Sequence, residues 1–298
     1  MKIASQRGLA VVTGAAGGLG ASFASQLAER GFNLLLVDRR RAPLEQICDS
    51  LAARHGVNVE PFAADLCKRE EVECLADLLE HRGDVELLVN NAGFGTVDYF
   101  VDTDPDFLVG MVDVHIIAPT LLTRAVLPGM IERNCGGIIN VSSIGAFLHS
   151  AGNAQYGSTK NYLAVFSQAL REELRGTKVN VQALCPGFVR TEFHAAESMK
   201  AFHQCAPAPH LWMSADDVVR CSLRRLGGKR VIVIPGLRFR ILGRLAQMPL
   251  LQPLMQWITR VPRVPPSTKP ASNTLPIGST EQPAEPRPEP SLSVAKRA

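Results

Sequence analysis

The sequence lacks the cysteine patterns of a disulfide framework or a zinc site. Its seven cysteines are an odd number and include no Cys-x-x-Cys pair, so we expect reduced thiols and no bound metal. It also lacks an uninterrupted apolar run approaching about 18 residues, which argues against a membrane-spanning helix. Residues 1–7 have no apolar core and no cleavage site, so we expect a cytoplasmic protein without a secretory signal.

Acidic residues are missing from one stretch of the chain. Residues 218–263 contain ten Lys or Arg and no Asp or Glu, whereas residues 1–217 contain 18 basic and 25 acidic residues. Such a block usually marks a surface for an anionic partner. We do not expect that partner to be a nucleic acid, because only Phe239 and Trp257 in the block are able to stack on bases.

Seven short apolar runs alternate with longer segments that have helical spacing. The first two runs are residues 9–12 and 34–37, the last is residues 231–234, and the helical segments include one with apolar residues at 163, 166, 170 and 174. This alternation predicts an α/β fold with a doubly wound, mostly parallel seven-stranded sheet and helices on both faces. Ligands of such sheets bind in the loops after the carboxyl ends of the strands.

The loop after the first run contains Gly14, Gly18 and Gly20, spaced G-x-x-x-G-x-G. Glycines permit a tight turn and let backbone N–H groups approach a pyrophosphate at the N-terminus of the following helix. The pattern therefore favours a nucleotide site. The alternative is a turn whose small residues serve only close packing.

Asp38 ends the second apolar run and bears on the choice of nucleotide. A carboxylate at this position accepts hydrogen bonds from ribose hydroxyls and repels a 2′-phosphate, which favours NAD. Arg39, Arg40 and Arg41 follow directly and would attract a 2′-phosphate, or form a solvated helix start. We expect NAD as the preferred cofactor, with NADP as the alternative and Arg39 as a further contact.

Several motifs occur in the order found in one enzyme family. They are Thr13-Gly14-x3-Gly18-x-Gly20, Asn90-Asn-Ala-Gly93, a serine thirteen residues before Tyr156-x3-Lys160, and Pro186-Gly187-x3-Thr191. With them the chain resembles the short-chain dehydrogenase/reductase family over residues 7–235. The resemblance implies a Rossmann-type fold and an NAD(P)-dependent oxidoreductase acting on CH–OH groups.

Tyr156 and Lys160 are suited to proton transfer. They lie four residues apart on a predicted helix and so share one face. A neighbouring ammonium favours the phenolate of a tyrosine, which is otherwise a poor base at neutral pH. The alternative is an ordinary Tyr–Lys contact on a helix surface.

Ser142 and Ser143 follow the fifth apolar run, and only one of them is expected to point into the cleft. The family spacing to Tyr156 selects Ser143, which would hold the substrate oxygen, and leaves Ser142 a structural role.

The resemblance also implies a set of cofactor contacts. Lys160 would contact the nicotinamide ribose, Asn90 would support the central strand and line the site, and Asp65 would meet the adenine, although Asp65 alone is also explained as a helix N-cap. The full set of expected contacts besides Asp38 and Arg39 is Thr13, Gly14, Gly18, Leu19, Gly20, Asp65, Leu66, Asn91, Ala92, Gly93, Tyr156, Lys160, Pro186, Gly187, Val189 and Thr191.

His115 departs from the family pattern. Many relatives carry an asparagine here, which supports a water-mediated proton relay partly through its backbone carbonyl. A histidine keeps that carbonyl and offers another donor or acceptor, so we expect activity to survive with His115 as a fourth catalytic residue. The alternative is a histidine that only packs in a helix.

The expected reaction is hydride transfer between NAD(P) and an alcohol or carbonyl substrate, with Tyr156 as acid/base. An apolar substrate (a lipid, a steroid-like or an aromatic molecule) is favoured by loop phenylalanines at positions 94, 147, 188 and 193, and residues 192–213 are the expected lid. The alternative is a non-catalytic nucleotide-binding protein with a regulatory or interaction role.

Three parts are expected along the chain. They are a dinucleotide-binding catalytic domain (1–235), a basic amphipathic extension (236–261) and a disordered tail (262–298) that holds nine of the twenty prolines. Apolar residues flanked by arginines over 236–263 predict peripheral contact with an anionic membrane, a flap over the substrate site, or a contact between subunits. We also expect the protein to form a homo-oligomer.

Overall fold

The structure is a computed structural model that describes residues 8–195, 199 and 208–248. The predicted tail and most of the predicted extension lie outside the described residues. Strands are β1 (Leu9–Thr13), β2 (Asn33–Asp38), β3 (Val59–Ala63), β4 (Val85–Asn90), β5 (Gly136–Val141), β6 (Val179–Leu184) and β7 (Ile232–Val233). Helices are α1 (Gly18–Ala28), α2 (Arg41–His55), α3 (Arg69–Glu80), α4 (Pro105–Val112), α5 (Ala118–Glu132), α6 (Ala154–Glu173), α7 (Ala215–Arg225) and α8 (Leu237–Ala246).

All seven strands are parallel and lie in the order β3-β2-β1-β4-β5-β6-β7. Apolar residues of α1, α2 and α7 cover one face of the sheet, and those of α3, α5 and α6 cover the other. The predicted doubly wound seven-stranded sheet is therefore confirmed. Strand order reverses between β1 and β4, which opens a crevice at their carboxyl ends.

Two strand boundaries differ from the sequence patterns. The run at 57–60 predicted the third strand, but β3 begins at Val59, opposite Leu34 of β2. The side-chain oxygen of Asn33 accepts the N–H of Asn58, so Asn58 belongs to the connection before β3. The last strand is shorter than the run at 231–234, because only Ile232 and Val233 pair with β6.

Helices α4 and α5 are joined by a π-helical turn, Asp113–Ile117, into one continuous helix. Pro119 has no N–H to donate to the carbonyl of His115, which accounts for the wider turn. By length and composition alone this helix, Pro105–Glu132, is apolar enough to cross a membrane. Its residues Leu122 and Met130 are fully buried against the sheet, as in a core helix.

Candidate active site

A cavity of about 640 Å³ lies at the carboxyl ends of the strands. The loops after β1, β2, β3, β4, β5 and β6 all contribute to its wall. It brings together most of the sequence-predicted site residues, namely Gly14, Gly18, Leu19, Asp38, Arg39, Asp65, Leu66, Asn91, Ala92, Gly93, Ser143, Tyr156, Lys160, Pro186, Gly187, Val189 and Thr191. Thr13, Gly20, Asn90 and His115 lie outside its lining among the described residues.

The glycine loop leaves space at the start of α1. Gly14 and Gly18 both have positive φ, 65° and 54°, which the turn into the helix requires. Gly20 faces inward, and a Cβ there would overlap the carbonyl oxygen of Gly14. The absence of a side chain at Gly20 lets the loop close on the helix, and its expected contact with cofactor stays a prediction. Gly18 and Leu19, the first residues of α1, border the cavity, and the first N–H groups of a helix have no partner within it.

Thr13 and Asn91 join the first loop to the loop after β4. The Thr13 hydroxyl donates to the carbonyl of Val89 and accepts the N–H groups of Asn91 and Ala92, at 3.0 Å each. The Asn91 amide donates to the carbonyls of Thr13 (2.8 Å) and Gly14 (3.2 Å). Thr13 thus supports the cavity wall through its hydroxyl, and its expected cofactor contact stays a prediction.

Asn90 supports the sheet but does not line the cavity. Its buried amide donates to Asn140 Oδ1 at 2.8 Å and to the Thr123 hydroxyl at 3.3 Å. Asn140 in turn donates to Ser167 of α6. These bonds agree with the implied support of the central strand, and the implied place of Asn90 at the cofactor site stays a prediction.

Asp38 is nearly buried and has three donors. Its Oδ2 accepts the N–H of Ala16, and its Oδ1 accepts the N–H and the Nε–H of Arg40, at 3.0, 3.0 and 3.2 Å. Arg40 also reaches Glu192 at 3.3 Å, across the glycine loop at Gly17. Sequence reasoning singled out Arg39, which lines the cavity, but it did not foresee that Arg40 is the arginine bound to Asp38.

Asp65 does not cap a helix. Its Oδ1 accepts the N–H of Cys67, and α3 begins later, with Lys68 in the N-cap position. The N-cap interpretation is therefore wrong, whereas the side chain borders the cavity beside Leu66 at the end expected for adenine.

Ser143, Tyr156 and Lys160 meet at the other end of the cavity. The Lys160 ammonium lies 5.9 Å from the centre of the Tyr156 ring and donates to the carbonyl of Val141 at 3.0 Å. Ser143 accepts the N–H of Gly145 at 3.0 Å, and its hydroxyl favours a lower pKa of the nearby Tyr156 phenol. Ser142 also borders the cavity, but its hydroxyl donates to the Lys160 carbonyl at 2.6 Å and so holds the turn of α6 that carries the lysine.

Burial moves both pKa values toward the uncharged forms. It raises the pKa of Tyr156 to about 12, although the hydrogen bond with Ser143 opposes the rise. It lowers the pKa of Lys160 to about 7. At neutral pH the phenol is therefore protonated, and the lysine is close to its own titration point.

His115 is fully buried, and both of its ring nitrogens are occupied. Nε2 accepts the N–H of Phe94 at 3.2 Å, so the proton of a neutral ring is on Nδ1, which donates to the Thr159 hydroxyl at 2.8 Å. That hydroxyl donates to the carbonyl of Tyr156 at 3.0 Å. Burial, and to a lesser extent the charge of Lys160, hold the pKa of His115 well below its usual value.

The ring of His115 is therefore held in place by two hydrogen bonds and suits a positioning role, and its expected part in catalysis stays a prediction. Its backbone carbonyl lacks the donor of a regular α-helix, because Pro119 occupies the i+4 position.

Asn153, just before α6, was missed by sequence reasoning. Its amide donates to the carbonyls of Gly145 (2.9 Å) and Leu148 (2.6 Å), so it holds the loop after Ser143 over the start of α6. A helix-start asparagine three residues before Tyr156 is the only sequence signal for it.

Of the four loop phenylalanines, Phe94, Phe188 and Phe193 line the cavity, whereas Phe147 packs beneath the loop. The Phe193 ring lies 5.9 Å from that of Tyr156. The segment expected as the lid is described only in part, and among its described residues Glu192 and Met199 also line the cavity.

The sequence is similar to curated oxidoreductases. An uncharacterized oxidoreductase of Myxococcus xanthus is 35% identical over 210 residues, which are 70% of this chain and 80% of that protein. Inactive hydroxysteroid dehydrogenase-like protein 1 of Homo sapiens is 32% identical over 209 residues, which are 68% of this chain and 62% of that protein. The chain thus spans less than two thirds of the length of the human relative.

Solved structures share the fold. A short-chain dehydrogenase of Sphingobium yanoikuyae in complex with NADPH has a TM-score of 0.73 and 29% identity, with 80% of this chain and 94% of that one covered. A short-chain dehydrogenase/reductase of Burkholderia phymatum in complex with NAD has a TM-score of 0.71 and 25% identity, with 87% and 98% covered. The family model for short chain dehydrogenases matches residues 8–201. This chain belongs to the short-chain dehydrogenase/reductase family of oxidoreductases.

Proposed function

We propose that this protein transfers a hydride between a nicotinamide dinucleotide and an alcohol or carbonyl carbon, with Tyr156 as the acid/base. The observation that carries the proposal is the arrangement of one cavity. Ser143, Tyr156 and Lys160 lie at one end, and the glycine loop with Asp38 lies at the other.

The cavity wall fits a dinucleotide. Gly14 and Gly18 line the cavity without side chains of their own, the start of α1 borders it, and Asp38 offers a nearly buried carboxylate farther along. A nicotinamide dinucleotide, when bound, supplies or accepts the hydride. We propose NAD over NADP, because a 2′-phosphate beside Asp38 would face a fixed negative charge that is already paired with Arg40.

In the reducing direction, Tyr156 gives its proton to the oxygen of the substrate. A phenol with a pKa of about 12 is protonated at neutral pH, which is the form that this step needs. Ser143 holds the same oxygen and stabilises the charge that develops on it. The Lys160 ammonium, 5.9 Å from the centre of the Tyr156 ring, would stabilise the phenolate that this step leaves. In the oxidising direction the same groups act in reverse.

An apolar substrate fits the end of the cavity beside Tyr156. The residues there are mostly apolar side chains from separate loops: Phe94, Val97, Leu148, Phe188, Phe193 and Met199. Burying such a surface against a lipid, steroid-like or aromatic molecule is favourable at roughly 25 cal/mol per Å². Few polar groups besides Ser143 and Tyr156 would compete for the oxygen of such a molecule.

Tyr156→Phe tests the proposal, with Tyr162→Phe on the same helix as the matched control. Each change removes only a phenolic hydroxyl. Hydride transfer is followed by reduced-nicotinamide absorbance over a panel of apolar ketones and alcohols, and cofactor binding by fluorescence. We expect Tyr156→Phe to lose at least about 10²-fold in single-turnover rate while it still binds cofactor. Equal rates for the two variants would contradict the assignment.

A second candidate is a non-catalytic nucleotide-binding protein. It is favoured by the similarity to a human relative that is named as inactive. Against it, this chain keeps Ser143, Tyr156 and Lys160 together at one end of the cavity. Cofactor binding without turnover of any panel compound, by the wild type as well as by Tyr156→Phe, would favour the second candidate. A cytoplasmic location and a homo-oligomer complete the proposal.

A further inference from the structure

Helix α8 carries an apolar stripe on the side that faces away from the protein. Leu237, Ile241, Leu245 and Met248 are 66%, 50%, 37% and 47% exposed. They are four, four and three residues apart, so they lie in one row along the helix and its last turn. Four large apolar side chains in one exposed row are unusual for a surface helix and indicate a contact surface.

The opposite side of α8 is already used by the fold. Phe239, Gly243 and Ala246 are buried, and a Cβ on Gly243 would lie 2.8 Å from Ile234 and 2.9 Å from Ile144. The helix is therefore held in one rotational setting by close packing. This orientation of the helix leaves the four apolar residues of the stripe exposed.

Arginines flank the stripe. At 100° per residue, Arg244 lies on one side of the row and Arg238 on the other, with Arg240 farther round. None of the three forms a salt bridge with an acidic residue in the part of the chain that the structure describes. The block from 218 to 263 has ten basic residues and no acidic one, and α8 itself carries three arginines and no acidic residue.

We propose that the outward side of α8, defined by these four apolar residues and by Arg238 and Arg244, docks on the surface of an anionic lipid bilayer. A narrow apolar row between arginines suits the interface, where the row enters the acyl boundary and the arginines meet lipid phosphates. A second copy of the chain fits this surface poorly. Two-fold pairing of α8 would bring like charges together, and four side chains fall well short of the roughly 1,000 Å² of a stable interface.

The docking surface lies directly behind the cavity wall. The Phe239 ring contacts the Phe188 ring at 6.0 Å in an edge-to-face arrangement, and Phe188 lines the cavity. One helix thus separates the bilayer from the apolar end of the site. Access of a membrane-dissolved substrate through this side rests on the proposed function, whereas the docking itself does not.

Vesicle sedimentation of the full chain tests the docking. The probes are vesicles of phosphatidylcholine alone and of phosphatidylcholine with phosphatidylglycerol, at low and high salt. We expect binding only to the anionic vesicles, and a loss of at least tenfold in affinity at high salt. Absence of binding to anionic vesicles at low salt would overturn the proposal. Equal binding at low and high salt, or equal binding to neutral and anionic vesicles, would overturn its electrostatic basis.

Matched variants locate the surface. Leu237→Ser/Ile241→Ser should weaken vesicle binding at least fivefold, whereas Val165→Ser, an equally exposed apolar site on α6, should not. Arg238→Gln/Arg244→Gln should reduce the salt dependence, with exposed Arg124→Gln as its control. Thermal melting confirms that each variant is folded.

Two outcomes distinguish docking of α8 on a bilayer from binding by another segment and from contact with a second copy of the chain. Stripe variants that bind like the wild type would assign binding to another segment and overturn the proposal. Stripe variants that lose oligomer, in a protein that binds no vesicles, would assign the surface to a second copy. Turnover of a soluble substrate without vesicles should be unchanged in the stripe variants. If the wild type itself turns over no soluble substrate, the proposed function is wrong. If only the stripe variants lose turnover, the substitutions have moved α8.

Discussion

The Nδ1–H of His115 donates to the hydroxyl of Thr159 over 2.8 Å, and Thr159 stands between Tyr156 and Lys160 on α6. The other ring nitrogen accepts the N–H of Phe94, in the loop after β4. One buried imidazole therefore fixes the distance between the cavity wall on that side and the helix turn that carries the tyrosine and the lysine. A side chain with a single polar end would hold only one of the two.

Thr159→Val should impair turnover without removing any group that touches the substrate. It leaves the His115 Nδ1–H and the Tyr156 carbonyl without their shared partner. A buried group left unsatisfied costs about 1–3 kcal/mol. We expect kcat to fall by about tenfold, with little change in the KM for cofactor, because Tyr156 is less well positioned. Thr159→Ser keeps the hydroxyl and should restore most of the rate; equal defects in both variants would argue against the hydrogen-bond chain.

The buried His115 should make the protein sensitive to acid. Its pKa in the folded state lies well below the usual 6.5, so below that pH the unfolded chain takes up a proton that the folded chain does not. With respect to this histidine, the free energy of unfolding therefore has its full value above pH 6.5 and decreases as the pH falls below it. His115→Asn should show a smaller drop in melting temperature between pH 7.5 and pH 5, conditions that bracket about 6.5.

The control for this experiment is His210→Asn, which changes an exposed histidine. Its melting temperatures should follow the wild type at both pH values, because an exposed ring meets solvent in the folded and the unfolded chain alike. A wild-type drop that His115→Asn leaves unchanged would show that other groups cause the acid sensitivity.

Asp38→Ala should shift cofactor preference from NAD toward NADP. The change removes a negative charge beside the expected 2′-phosphate position and frees the Arg40 guanidinium that Asp38 binds. Charge-assisted hydrogen bonds are worth about 1.5–3 kcal/mol, so the ratio of kcat/KM for the two cofactors should move by roughly 10–100-fold. The double variant Asp38→Ala/Arg40→Ala should recover less activity with NADP. A wild-type preference for NADP would contradict the proposed role of Asp38.

Lys160→Met should abolish turnover and yet stabilise the protein at neutral pH. Burial lowers the pKa of Lys160 to about 7 from 10.5, so the folded state resists the charge that the unfolded chain carries. The free-energy cost of burying the charged lysine is largest below about pH 7 and decreases to zero as the pH rises toward 10.5. The excess melting temperature of the variant should shrink over this range, at about 2–4 °C per kcal/mol.

Exposed Lys178→Met is the control for the lysine experiment and should melt with the wild type throughout. A Lys160→Met protein that is less stable than the wild type at pH 7 would show that the hydrogen bond to the Val141 carbonyl outweighs the cost of burying the ammonium.

The sequence alone determined the architecture and the main contents of the cavity. Apolar runs alternating with helical spacing specify a parallel sheet, because each strand must be buried on both faces. Parallel strands all end at one edge, so residues that follow the runs, such as Asp38, Ser143 and Pro186, come together whatever the details of the helices. The four-residue spacing of Tyr156 and Lys160 likewise fixes their common face through helix geometry alone.

Only the tertiary structure decided which of these residues form the surface and which support it. Thr13 and Gly20 belong to the same motif as Gly14, yet they face inward, because the loop folds back on α1 and on the loop after β4. Arg40 and Arg39 are equivalent in the sequence, and only the direction of the chain after β2 turns Arg40 back onto Asp38.

The role of His115 and the setting of α8 also depended on distant partners. Thr159 is 44 residues from His115 in the chain, and no local pattern relates them. The pattern of α8 shows apolar residues all round, and only its packing on Ile144 and Ile234 decides which of them remain outside. Local periodicity determines elements, whereas burial and hydrogen bonding between remote segments determine what each side chain contacts, because those contacts exist only once the chain has folded.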